Sequence, residues 1–194
     1  MEQQIKQEIL QLYKQLKEED NQKENRLEKW RNLEPESAEF ISIIIRTQQS
    51  KNVLELGTSN GFSTLWFADA LNNSKGKLTS IEIEEHRTEL ARNYLTNFKL
   101  IDNVELLTMD AKDFLVQATP IYDIIFLDAE RKHYVEYWIY LKKLLNKKGS
   151  LLIVDNVISH QNDVKEFVAL IGNDKDYIVS TANIGAGILL VTKQ

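Results

Sequence analysis

Three oxygen-bearing side chains follow two strongly apolar stretches, and together they have the chemistry of a cation site. Asp128 follows residues 124–127, and Asp155 and Asn156 follow residues 151–154. If these stretches are neighbouring parallel strands, their carboxyl ends meet at one edge of a sheet. Carboxylate and amide oxygens suit a hard cation such as Mg²⁺, with Ca²⁺ or Mn²⁺ as alternatives. The competing interpretation is that these residues are only turn formers at strand ends.

A second constellation is a glycine-containing turn between a short apolar strand and a helix. Residues 52–64 read Asn-Val-Leu-Glu-Leu-Gly-Thr-Ser-Asn-Gly-Phe-Ser-Thr. Glycine allows positive φ and close approach of a ligand, and a helix start offers unpaired N–H groups. The Gly57–Gly61 spacing is not that of dinucleotide binders, and no Lys follows as in a phosphate loop. The turn therefore predicts a nucleotide-type ligand without a pyrophosphate, against the alternative of an ordinary strand–turn–helix.

Two further acids occur where such a ligand would extend. Glu82 ends the second predicted strand, where an acid can accept hydrogen bonds from ribose hydroxyls. Its alternative is a solvated charge. Asp110 follows the third predicted strand and can accept a hydrogen bond from the amine of a nucleobase, or it can serve only as a helix N-cap.

The surrounding pattern alternates between short apolar strands and helices. The predicted strands are 53–56, 78–83, 104–108, 122–127 and 151–154, and the predicted helices between them are 63–71, 87–98, 111–116 and 134–145. This order implies right-handed βαβ units. Residues 177–181 and 187–192 form a predicted hairpin. The expected fold is a doubly wound, Rossmann-like α/β sheet, mostly parallel, with a C-terminal antiparallel hairpin.

The chain is predicted to be one domain, residues 1–194, with residues 1–32 as an N-terminal helical extension. Ile5, Ile9, Leu12 and Leu16 recur at helical spacing and predict a helix over residues 3–19. Mixed charge over residues 17–29 indicates a solvated helix end or loop. Because an apolar stripe must be covered, the helix packs on the domain or on a second copy, so a homodimer is one expectation.

Composition excludes several classes of function. The 194 residues include no cysteine, which removes disulfides and thiolate sites. No stretch of about 20 apolar residues and no signal peptide is visible, so we expect a cytoplasmic protein without a membrane partner. The net charge of −5 weakly disfavours non-specific nucleic-acid binding.

Taken together, the segments resemble class I S-adenosylmethionine (SAM) dependent O-methyltransferases. Residues 55–64, 126–131 and 154–157 look like the bacterial O-methyltransferases (family 3) of the catechol and caffeoyl-CoA group. Leu33-Glu34-Pro35-Glu36 resembles the segment ahead of that family's first motif, so the resemblance covers residues 33–194. It implies methyl transfer from SAM to a hydroxyl of a small, catechol-like acceptor, assisted by a divalent cation.

The resemblance also implies roles for individual residues. The cation ligands are Asp128, Asp155 and Asn156. The expected SAM-binding residues are Glu55, Gly57, Ser59, Gly61, Ser63, Glu82, Asp110, Ala111 and Asp128.

The expected catalytic residues are Asp128, Arg131, Lys132 and His160, with one departure from the family pattern. Arg131 stands where the family usually places a lysine as proton acceptor, and arginine cannot serve as a base. Lys132 and His160 are the alternatives, since histidine titrates near neutrality. Two other functions stay open: methylation of a hydroxylated tRNA nucleoside, and SAM binding without catalysis.

Overall fold

The computed structural model describes residues 1–25, 28–119 and 121–194. The strands are β1 (Asn52–Leu56), β2 (Lys77–Glu82), β3 (Val104–Thr108), β4 (Ile124–Leu127), β5 (Leu151–Val154), β6 (Tyr177–Ala182) and β7 (Ile188–Lys193). The helices are α1 (Gln3–Gln22), α2 (Pro35–Thr47), α3 (Phe62–Asn72), α4 (Glu85–Asn97), α5 (Ala111–Gln117), α6 (Tyr134–Leu144) and α7 (Gln161–Gly172).

The strands of these residues form one sheet in the order β3-β2-β1-β4-β5-β7-β6. Strands β1 to β5 pair in parallel, and β7 runs antiparallel to both of its neighbours. Strands β4 and β5 are apolar throughout because helices cover both faces of the sheet. The predicted fold class is confirmed.

The register of the sheet brings the predicted site residues together. Leu56 pairs with Leu127 and with Ile81, so Gly57 lies between Asp128 and Glu82 at the carboxyl edge. Leu127 pairs with Val154, so Asp128 and Asp155 end adjacent strands at the same level. Parallel pairing of these short strands therefore brings residues that are far apart in sequence to the same edge of the sheet.

Helix α1 packs on the domain and runs three residues beyond its predicted end. Ile9 and Leu16 are fully buried, and the Tyr13 ring lies 5.2 Å from the Phe62 ring of α3. Pro35 stands in the first turn of α2, where its missing N–H costs no hydrogen bond within the helix. Of the predicted loop 17–29, residues 26 and 27 lie outside the described residues.

Helix α7 was not predicted from the sequence. It buries Val164, Phe167 and Ile171, whose three- and four-residue spacing is helical. Among the described residues, none of the helices combines the length and apolar character that crossing a membrane requires.

Candidate active site

A cavity of about 1070 Å³ opens at the carboxyl edge of the sheet. The predicted residues that line it are Gly57, Ser59, Glu82, Asp110, Ala111, Asp128, Arg131, Lys132, Asn156 and His160. The predicted residues outside its lining are Glu55, Gly61, Ser63 and Asp155. Most of the expected site therefore surrounds one cavity, and the remainder lies behind its wall.

Glu55 lies fully buried beneath the glycine turn, not in the cavity. Its Oε1 accepts a hydrogen bond from Ser63 Oγ at 2.5 Å, and its Oε2 accepts from Thr64 Oγ1 and Ser80 Oγ, both at 2.6 Å. Burial raises the pKa of Glu55 to about 7, although the three hydroxyl donors act in the opposite direction. Glu55 and Ser63 thus tie the start of α3 to β1 and β2.

Glycine is required at the two positions of the turn for different structural reasons. Gly57 has φ +106°, and a Cβ there would lie 2.2 Å from the carbonyl oxygen of Asp128. Gly61 has φ +88°, and a Cβ there would lie 2.7 Å from Cβ of Ala91 in α4. Gly57 therefore allows two strand ends to approach each other at the cavity, while Gly61 allows α3 and α4 to pack.

The acids of β2 and β3 are held by backbone N–H groups. Glu82 Oε2 accepts from Ser59 N at 2.7 Å, and its Oε1 accepts from the N–H groups of Ile83 and Glu84, both at 3.0 Å. Asp110 Oδ1 caps α5 by accepting from Lys112 N at 2.7 Å. Each carboxylate is oriented by the chain and keeps lone pairs for a ligand.

Asp128, Asp155 and Asn156 meet at the other side of the same edge. Asn156 Nδ2 donates to Asp155 Oδ2 at 2.8 Å and to Asp128 Oδ1 at 3.2 Å. Asn156 has φ +66°, a left-handed conformation that asparagine tolerates better than most residues. One amide therefore bridges two carboxylates.

The electrostatics of this trio fit a cation. Burial and then the neighbouring Asp128 raise the pKa of Asp155 to about 8. Burial also raises the pKa of Asp128, against the opposing effect of Arg131 and Arg31. Asp155 Oδ1 is buried and has no hydrogen-bond partner among the residues that the structure describes. Two crowded carboxylates with an unsatisfied oxygen are what a divalent ion would stabilise.

The trio is not a cluster of acids and histidines alone. In the part of the chain that the structure describes, no three His, Cys, Asp or Glu side chains group as a metal site. The predicted set instead supplies two carboxylates and one amide. In the structure the amide nitrogen of Asn156, and not its oxygen, faces the two carboxylates. Turning that amide over would present its oxygen to a cation.

The three predicted catalytic residues other than Asp128 have different surroundings. Arg131 Nε donates to Asp163 Oδ2 at 3.2 Å, and its side chain is 10% exposed. Lys132 is exposed at the cavity wall. His160 precedes α7, and its Nδ1 lies 2.9 Å from Ser159 Oγ. All three border the cavity on the Asp128 side.

Several cavity residues were missed by sequence reasoning. The stretch after α1 contributes Trp30 and Arg31, and α4 contributes Arg87. Their contacts join distant parts of the chain, so no local spacing indicates them. Ile83 is 61% exposed within the cavity lining, and an apolar residue directly after the strand-end acid was a signal that could have been used.

Comparison with known proteins identifies the family. A family model described as O-methyltransferase matches residues 3–194. A catechol O-methyltransferase from Niastella koreensis is 35% identical over 129 residues, 64% of this chain and 57% of that protein. Another from Mycobacterium tuberculosis is 32% identical over 124 residues, 63% of this chain and 56% of that protein. The chain thus spans a little over half the length of these curated relatives.

Solved structures agree with the observed topology. An O-methyltransferase from Bacillus cereus, solved in complex with SAH, has a TM-score of 0.79 at 23% identity, covering 100% of this chain and 92% of its own. The O-methyltransferase TomG from Streptomyces achromogenes, solved with SAM, has a TM-score of 0.80 at 22% identity, covering 100% and 91%. At these identities the likeness shows the fold. Because the family model spans nearly all of the sequence, the resemblance read from the motifs is confirmed, and the chain belongs to the O-methyltransferase family.

Proposed function

We propose that this protein transfers the methyl group of SAM to a hydroxyl of a small, catechol-like acceptor with the help of a divalent cation. One observation carries the proposal: the half-buried carboxylate of Asp128 lies beside the buried carboxylate of Asp155, whose Oδ1 has no hydrogen-bond partner among the described residues. Asp128 lines the cavity and Asp155 lies behind its wall, while Glu82 and Asp110 line the opposite side. Family membership and relatives named catechol O-methyltransferase support the same reaction.

The cofactor half of the cavity suits the nucleoside of SAM. Glu82 is held by three N–H groups and can accept from ribose hydroxyls. Asp110 uses Oδ1 as a helix cap, and its Oδ2 can accept from the adenine amine. The exposed Ile83 side chain offers an apolar surface to the base. Gly57, without a side chain, lets the methionine part approach the backbone.

The acceptor half suits a hydroxyl held beside a cation. Asp128, Asp155 and Asn156 would hold the ion. A divalent ion bound there supplies Lewis-acid chemistry, which lowers the pKa of an acceptor hydroxyl. Asp128 ends the strand next to Gly57, so this side of the cavity adjoins the place proposed for the methionine part. The chain thereby positions the two reactants, which is a large part of the catalysis of such a transfer.

The transfer needs a place for one proton. The acceptor oxygen forms a bond to the methyl carbon as the carbon–sulfur bond breaks, and the hydroxyl proton must leave. Arg131 is positively charged and pairs with Asp163, so its role is electrostatic and not that of a base. Lys132 and His160 border the cavity and are the two candidate acceptors of the proton.

The tRNA alternative gains no support from this edge of the sheet. Two of its cations lie beside acids: Arg31 lies 3.7 Å from Glu130, and Arg131 pairs with Asp163. A phosphate-binding surface needs a continuous excess of Lys and Arg.

The test is a turnover assay with SAM and catechol, in which methylated product is quantified by mass spectrometry with and without chelator. We expect turnover with Mg²⁺, loss of turnover in excess EDTA, and recovery when Mg²⁺ is added back. Product formation that survives EDTA would refute the cation role. Calorimetric SAM binding without methylation of any catechol would favour the non-catalytic alternative.

A further inference from the structure

Arg31 has an unusual backbone conformation at the cavity wall. Its φ is +53°, a left-handed conformation that residues with a side chain rarely adopt. The N–H of Arg31 donates to Asp20 Oδ2 at 2.9 Å, and the N–H of Trp30 donates to Asp20 Oδ1 at 2.7 Å. One carboxylate of α1 therefore holds both residues in place.

The neighbouring Trp30 fixes the same stretch to the glycine turn. Its carbonyl oxygen accepts from Ser59 Oγ at 3.1 Å, and its Nε1 donates to Glu19 Oε2 at 3.0 Å. The Arg87 guanidinium lies 5.3 Å from the Trp30 ring centroid and donates to Ser59 Oγ at 3.0 Å. Strained residues that their surroundings hold this firmly are concentrated at functional sites.

The Arg31 side chain faces a weak and replaceable partner. One of its terminal nitrogens lies 3.7 Å from Glu130 Oε1, and the two side chains are 38% and 58% exposed. Ion pairs this exposed contribute little to stability. A ligand carboxylate that binds the guanidinium with better geometry can therefore displace Glu130. Arg31 and Asp128 line the same cavity, and the guanidinium charge of Arg31 acts to lower the pKa of Asp128.

The two halves of the cavity differ in charge. In the cofactor half the acids Glu82, Glu84 and Asp110 outnumber the cation Arg87, which donates to Ser59. On the acceptor side Arg131 is paired with Asp163, whereas Lys132 has no carboxylate at ion-pair distance among the described residues. Once a divalent ion offsets Asp128 and Asp155, this side has an excess of positive charge.

We propose that Arg31, assisted by Lys132, binds an anionic group of the acceptor, so that catechols bearing a carboxylate are preferred over neutral ones. With Lys132 used in this way, His160 is left as the acceptor of the hydroxyl proton. This inference rests on the proposed function and names its substrate class. The planar guanidinium can bind a carboxylate through two parallel hydrogen bonds. Because the backbone of Arg31 is held in place, this geometry favours acceptors whose carboxylate lies at the matching position.

The test compares 3,4-dihydroxybenzoate with its neutral analogue 3,4-dihydroxybenzamide, with kcat/KM measured for each. Wild-type protein should prefer the benzoate, and Arg31→Gln should lower the benzoate-to-benzamide ratio about tenfold, the value of one charge-assisted contact. Comparing the ratio between variants cancels the intrinsic difference in reactivity of the two phenols. The matched control is Arg92→Gln, which removes the same charge from an exposed position of α4 and should leave the ratio unchanged.

Calorimetry of SAM binding completes the design. Arg31→Gln should bind SAM as wild type does, because the inference assigns Arg31 to the acceptor. Weaker SAM binding would overturn the inference by assigning Arg31 to the cofactor carboxylate, and an unchanged benzoate-to-benzamide ratio would overturn it directly. Turnover of neither compound by wild-type protein would overturn the proposed function as well, so the two failures are distinguishable.

Discussion

The two halves of the cavity treat their acids in opposite ways. In the cofactor half, Glu82 accepts from three backbone N–H groups, and Asp110 caps a helix. In the acceptor half, Asp128 and Asp155 face each other across one amide, and Asp155 keeps an unsatisfied buried oxygen. The first pair is stabilised by the fold itself, while the second pair is a cost to the fold.

This difference separates two ways of building a binding site. Carboxylates satisfied by N–H groups are oriented before any ligand arrives, so they can recognise neutral hydroxyl and amine donors. Crowded, desolvated carboxylates resist ionisation, as the raised pKa values of Asp128 and Asp155 show. We infer that the first half selects a nucleoside and the second half selects a cation.

The largest expected effect comes from Asp155→Asn, which removes one of the two facing carboxylates. Turnover should fall at least about 100-fold, because Lewis-acid stabilisation contributes several kcal/mol. SAM binding should persist, and thermal stability without cation should not fall, since the like-charge repulsion is relieved. The measurements are turnover, calorimetry and Tm.

An exposed aspartate in the short 3-10 helix Ile101–Asn103 provides the matched control. Asp102→Asn makes the same chemical change far from the cavity and should behave as wild type. If the turnover of Asp155→Asn stays within about threefold of wild type, the acceptor half does not depend on a bound cation. The proposed difference between the two halves would then be wrong.

A second prediction concerns Glu55, the buried acid beneath the cofactor half. Burial raises its pKa from the ordinary 4.5 to about 7, so the folded state binds the proton more tightly than the unfolded chain does. Its contribution to stability is fully present below about pH 4.5 and is lost as the pH rises through about 7. Glu55→Gln should remove about 3 kcal/mol of this pH dependence, measured by urea unfolding across that range.

The control for this substitution is Glu105→Gln on the exposed face of β3, which should leave the pH dependence of unfolding as in wild type. If Glu55→Gln and wild type lose stability in parallel between pH 4.5 and 7, Glu55 is ionised in the folded state. Its carboxylate would then be stabilised by its hydroxyl donors, as the carboxylates of Glu82 and Asp110 are by backbone N–H groups.

The smallest effect is expected at Asp110, whose role as a cap can be separated from its role as a ligand. Asp110→Ala should cost about 1 kcal/mol of stability through loss of the N-cap of α5, measured by denaturant unfolding. Asp110→Asn keeps the cap and should be nearly neutral in stability. Equal stability of both variants would show that the cap contributes nothing.

Local sequence was sufficient for most of the framework. Apolar runs bounded by turn residues predicted β1 to β5, and acids placed directly after such runs had to meet at one edge once the strands paired in parallel. Asp128, Asp155 and Glu82 were therefore predictable, because strand direction alone places their backbones. The helical spacing of Val164, Phe167 and Ile171 within α7 is equally local.

What the side chains contact was decided by tertiary structure. Glu55 and Gly61 belong to the predicted cofactor motif, yet Glu55 turns beneath the loop toward three hydroxyls and Gly61 packs against Ala91. Arg31 enters the cavity only because Asp20 and Ser59 fix the backbone around it, through hydrogen bonds that join separate elements. Spacing along the chain determines which end of a strand a residue occupies, whereas burial and hydrogen-bond partners depend on neighbours that only the folded chain brings together.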